Sequence, residues 1–84
     1  MTSLRFGNVL FIAYPQDHDP RHVHGFSAET EVIVDLGLDG AVELADRRDC
    51  IRPGNAKRRD VRKILKAAAE HFDELVLLWE RMHA

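Results

Sequence analysis

Eighty-four residues suffice for one domain, residues 1–84, with a single small core; a chain this size buries about 60 % of the surface its unfolded form exposes. With 45 % apolar and 31 % charged residues, the composition excludes a disordered chain. The net charge of −2 hides an asymmetry: residues 47–66 hold nine cations against Asp49 and Asp60, a balance of +7, which leaves −9 for the rest.

In chain order, Arg5–Tyr14 predicts a largely buried strand through Phe6, Val9, Leu10, Phe11, Ile12 and Tyr14, ended by Pro15. Its apolar part, Val9–Tyr14, is the longest apolar run and is far short of the ~20 residues that span a bilayer. No membrane partner is expected. The start, MTSLRFGN, lacks a charged segment followed by an apolar one, and Cys50 is the single cysteine, so a cytoplasmic location is expected.

His22–Ser27 predicts a short second strand. Glu29–Leu36 alternates, with Val32, Val34 and Leu36 on one face and Glu31, Ile33 and Asp35 on the other. Asp39–Gly40 is a hairpin signal, returning Ala41–Ala45 antiparallel with Val42 and Leu44 inward. Arg52–Asn55, ArgProGlyAsn, breaks the pattern and precedes a helix capped by Asn55.

From Ala56 to about His83 there is no Gly or Pro, and Val61, Leu65, Ala68, Phe72, Leu75, Trp79 and Met82 recur at near-heptad spacing. One helix of that length would extend ~42 Å, against a radius of gyration of ~12 Å for such a domain. Either it breaks near Glu70–His71, or its distal face, Phe72, Leu75, Val76, Trp79 and Met82, binds another chain, a second copy in a homodimer or a different protein. The fold class expected is α+β: a small antiparallel sheet of three to four strands, then a long C-terminal amphipathic helix on one face.

Chemistry concentrates in Tyr14–Phe26, YPQDHDPRHVHGF, which holds three of the five histidines. His22 and His24 are two apart and share a face of an extended chain; His18, Asp17 and Asp19 lie just before them. Three readings are compatible. His-x-His plus a third ligand could hold a divalent ion such as Zn²⁺. Two imidazoles, one oriented by Asp17, could divide acid and base roles without a metal or other cofactor. Or the aspartates simply cap a turn and the histidines pack on Tyr14 and Phe26. The candidate catalytic residues are His18, His22, His24 and Asp17.

The cations Arg47, Arg48, Arg52, Lys57, Arg58, Arg59, Arg62, Lys63 and Lys66 form the candidate nucleic-acid-binding segment. Those in the first helical turn oppose the macrodipole, which suits a docking anion.

An N-terminal apolar strand, then Tyr14-x-x-Asp17-His18-x-Pro20-x-His22-Val23-His24, a strand pair, a basic stretch and a last helix bearing Trp79 together resemble the bacterial family known as domain of unknown function 4160. The resemblance covers nearly the whole chain; Arg21 and Gly25 depart from the family pattern. It implies the toxin half (DhiT-type) of a type II toxin–antitoxin module, a cytoplasmic growth inhibitor neutralised by binding a cognate antitoxin protein. It implies no catalytic residue. Two functions follow: a toxin acting on RNA or translation through the histidine segment, in the manner of a small ribonuclease, or a non-enzymatic binding module acting by occlusion.

Overall fold

The first expected strand is in fact a hairpin. In the computed structural model, which describes residues 3–83, β1 (Ser3–Phe6) turns through Gly7-Asn8 into β2 (Val9–Ile12), with Phe6 opposite Val9. Gly7 takes φ +62, in the left-handed region that glycine enters without a Cβ clash. A two-residue Gly-Asn loop between apolar runs is a hairpin signal that the continuous β-former content had masked.

β3 (His22–Ser27) and β4 (Thr30–Leu36) form a second hairpin about Ala28-Glu29. β5 (Val42–Leu44) returns after the Asp39–Gly40 turn, where the Asp39 carboxylate accepts from the Ala41 N–H at 3.0 Å. β6 (Ile51–Arg52) also pairs with β4. The sheet is antiparallel throughout, ordered β1-β2-β3-β4-β5 with β6 beside β4, so it has five to six strands, not three or four. Val42 is half-buried and Leu44 is exposed, so β5 is a marginal edge rather than an inward-facing strand.

The single long helix is replaced by two: α1 (Arg58–Glu70) and α2 (Phe72–Met82), broken at His71. The His71 ring stacks on Phe6, centroids 3.7 Å apart and planes 6° apart, and its Nδ1 lies 2.8 Å from the Glu74 carboxylate. The break turns α2 onto the sheet instead of letting it overhang. Asn55 is not the cap; Lys57 occupies that position without a side-chain hydrogen bond, and Asp60 is the acidic group of the first turn.

Register assigns the two sheet faces. Val9, Phe11, Val23, Val32, Val34 and Leu36 form a buried layer with Ile64 and Ala68 of α1 and Leu75 and Leu78 of α2. Gly25 sits in that layer because a Cβ there would run into Ile64 and come within 2.9 Å of Phe11. The absent side chain lets α1 press against β3. His22, His24, Glu31 and Ile33 point to the opposite face.

Much of the expected partner face is turned inward. Leu75 and Trp79 are buried, 0 % and 6 % exposed, and Phe72, Val76 and Met82 pack against the protein's own core. The overhang on which that expectation rested does not exist. Leu77 is the large apolar side chain of α2 that faces solvent. Among the described residues no helix is long and apolar enough to cross a membrane.

Candidate functional site

β3 projects His22 and His24 from one face, as their i, i+2 spacing requires. The preceding loop folds back over them. Asp17 donates its N–H to the Tyr14 carbonyl at 3.1 Å, and this turn aims the Asp17 carboxylate at the strand. Asp17 Oδ2 then lies 3.2 Å from His22 Nε2 and 3.2 Å from His24 Nε2. These three residues offer ligand atoms within 4.8 Å of one another.

Each imidazole is fixed by what its other nitrogen touches. His22 Nδ1 donates to the Pro20 carbonyl at 2.8 Å. His24 Nδ1 faces Glu31 Oε2 at 3.0 Å. For His22, donation from Nδ1 leaves Nε2 as a lone pair in a neutral ring, whereas His24 has a carboxylate at each nitrogen, Glu31 at Nδ1 and Asp17 at Nε2 at 3.2 Å. Glu31 lies diagonally across the β3–β4 pairing, opposite Phe26, within reach of His24. Arg52 extends the chain of contacts, its Nη1 3.9 Å from Glu31 Oε1.

Aromatic rings wall the cluster. Tyr14 meets His24 edge-on, centroids 4.8 Å apart, and Trp79 lies 5.2 Å from His22. Trp79 also stacks on His83 at 3.6 Å. His83 Nε2 lies 2.8 Å from the Asp17 carbonyl and its Nδ1 2.8 Å from the Trp79 carbonyl. The end of α2 is thereby tied to the loop that carries Asp17.

One atom is conspicuously unsettled. His22 is 1 % exposed, and its Nε2 has no hydrogen-bond partner. It is close to the Asp17 carboxylate yet not aligned to bond with it, so the 3.2 Å separation is proximity rather than a satisfied pair. Leaving such a group buried and unpaired costs about 1–3 kcal/mol.

Of the expected catalytic residues, Asp17, His22 and His24 come together. His18 is exposed and lies outside the cluster. The basic side chains Arg47, Arg48, Arg52, Lys57, Arg58, Arg59, Arg62, Lys63 and Lys66 are all exposed. Those of α1 belong to the helix on the far side of the sheet from the histidines. Lys63 and Arg59 line a shallow groove with Asn8, Ser27 and Ala28, at the opposite end of β3 from His22. Arg52, through Glu31, is the cation that the contacts link to the cluster.

Reasoning from sequence missed Glu31, His83 and the role of Trp79. The alternation of β4 did put Glu31 on the face opposite Val32, and pairing β3 with β4 would have brought it to His24. His83 follows Trp79 by one helical turn, the only local hint of their stacking.

The family model for a domain of unknown function, DUF4160, matches residues 7–80. The chain belongs to this family. The matched span contains Asp17, His22, His24, Glu31 and Trp79, and it ends before His83. No curated protein and no solved structure matches the chain.

Proposed function

We propose that this DUF4160 protein is the growth-inhibiting half of a toxin–antitoxin pair and acts on RNA or the translation machinery through Asp17, His22 and His24. The observation that carries the proposal is the convergence of one carboxylate oxygen on two imidazole nitrogens, 3.2 Å from each, on the sheet face opposite the one on which α1 packs. A turn and a strand can fold without that convergence. A buried imidazole nitrogen with no partner is a cost that a working centre would justify. The toxin assignment itself rests on the motif's resemblance and on family membership, and the antitoxin would be a small cognate protein.

A second reading has its own support. The α1 cations and the histidine cluster lie on different sides of the sheet, so one RNA segment does not bridge them simply. A binding module that occludes a partner through the basic groove would need no chemistry at the histidines.

Induced expression in a bacterial host, without a partner gene, separates the two. Growth arrest abolished by Asp17→Asn and by His24→Gln, with both variants folded by circular dichroism, is the expected result. Arrest that persists in both variants and disappears in Arg58→Glu/Arg59→Glu/Arg62→Glu would favour the occluding module. No arrest with the folded parent chain would remove the toxin proposal.

A further inference from the structure

Three electron-pair donors meet around one point, and among the described residues no Lys or Arg side chain pairs with Asp17 there. His22 Nδ1–H is committed to the Pro20 carbonyl and His24 Nδ1 to the Glu31 carboxylate. With Nδ1 as the donor in both rings, two Nε2 lone pairs each lie 3.2 Å from the Asp17 carboxylate; the alternative is a proton on His24 Nε2, which makes its contact with Asp17 a hydrogen bond. Without that proton the arrangement is repulsive unless a metal cation sits among them, and His22 Nε2 has no partner either way. We propose that Asp17, His22 and His24 form a binding site for a divalent first-row transition ion of the Zn²⁺ and Co²⁺ kind, with Glu31 and the Pro20 carbonyl as its outer supports.

Four features of the site select this ligand class. Two imidazoles and one carboxylate, without a thiolate, suit Zn²⁺, Co²⁺ or Ni²⁺ and are too nitrogen-rich for Ca²⁺ or Mg²⁺. Metal-bound histidine characteristically donates its second N–H to a carboxylate or a backbone carbonyl, and here one ring does each. Tetrahedral ligation at about 2.05 Å sets ligand atoms roughly 3.3 Å apart, close to both Asp17–imidazole separations. The remaining edge, within 4.8 Å, closes by a swing of His24, the more accessible of the two rings. Finally, the unpaired Nε2 of a histidine that is 1 % exposed is aimed at the position the ion would take.

Three protein ligands leave a coordination position for water or a substrate atom, as in catalytic rather than structural sites. The Arg52–Glu31–His24 contacts would orient the His24 ligand from behind. The inference concerns binding alone and holds whatever the centre acts on.

The test uses the full-length chain with no affinity tag, stripped by chelator and titrated with Co²⁺ and Zn²⁺. One ion per chain is expected, with visible ligand-field bands for Co²⁺ and a raised melting temperature. Asp17→Asn and His24→Gln should weaken binding at least tenfold, and Glu31→Gln about tenfold or more. His18→Ala should leave affinity unchanged. Replacing the buried His22 is expected to destabilise the fold itself, so the decision rests on Asp17, His24 and Glu31, each partly exposed. No stoichiometric binding by the folded parent, or affinity unchanged in Asp17→Asn and His24→Gln, would overturn the proposal and leave protons as the only cations at the site. A protein that binds Co²⁺ without arresting growth would keep the metal site and remove the toxin.

Discussion

Gly25 offers a quantitative test of how α1 positions the histidine strand, because the sign of the effect itself is diagnostic. Its φ lies outside the left-handed region, so alanine can adopt the backbone there. On conformational grounds alone, Gly25→Ala should stabilise by about 0.4–1 kcal/mol through the unfolded state. The added Cβ, however, collides with Ile64 and comes within 2.9 Å of Phe11. Both side chains are completely buried and have nowhere to retreat. Overpacking of this kind costs about 1–3 kcal/mol, and two simultaneous contacts place it near the top of that range. The net expectation is a loss of about 2 kcal/mol. For a domain of this size that lowers the melting temperature by about 8–16 °C. Urea melts followed by circular dichroism measure it directly. Gly54→Ala is the control, since nothing lies within 4 Å of a Cβ there; its effect should be neutral or slightly stabilising. Ile64→Ala, combined with Gly25→Ala, should lose less than the sum of the two single variants by about 1 kcal/mol or more. A Gly25→Ala protein as stable as the parent, or strict additivity in the cycle, would refute the account of α1 seated directly on β3.

Ala28 sits at φ 52 in the β3–β4 turn, a left-handed conformation that costs a non-glycine residue about 1–2 kcal/mol. Ala28→Gly should therefore raise stability by about 0.5–1 kcal/mol in the same melts, the reverse of the usual cost of glycine. Trp79→Glu places a charge at a site 6 % exposed, against His22 and His83. It should unfold or strongly destabilise the chain, by about 3 kcal/mol or more; a folded variant whose sole change is its mass by light scattering would restore Trp79 to an intermolecular interface. Arg58→Glu/Arg59→Glu/Arg62→Glu changes exposed side chains, so it should move stability by less than about 1 kcal/mol. If the protein binds RNA, the same variant should abolish that binding and flatten its salt dependence, measured by fluorescence anisotropy at several ionic strengths.

Several features follow from the sequence alone because their causes are local. His22 and His24 share a face since side chains alternate along any strand, and the Asp39–Gly40 turn follows from its residue types. The break at His71 was legible as one of two outcomes, because an unbroken helix from Ala56 would have been longer than the domain could cover. The first hairpin was equally local, in Gly7-Asn8, but strong β-formers on both sides obscured it. What only the tertiary structure decided is who meets the histidines. Asp17 reaches both Nε2 atoms because the loop before β3 folds back over the strand. Glu31 is chosen by the β3–β4 register, a property of two strands and not of either. His83 touches the Asp17 carbonyl across a separation of 66 residues, which depends on the angle at which α2 leaves the His71 break. The same geometry turned Trp79 inward onto His22 and left the α1 cations on the other side of the sheet. Spacing rules act over one or two turns of chain. Contacts between remote segments are set by sheet register and helix packing, which no short stretch of this sequence encodes.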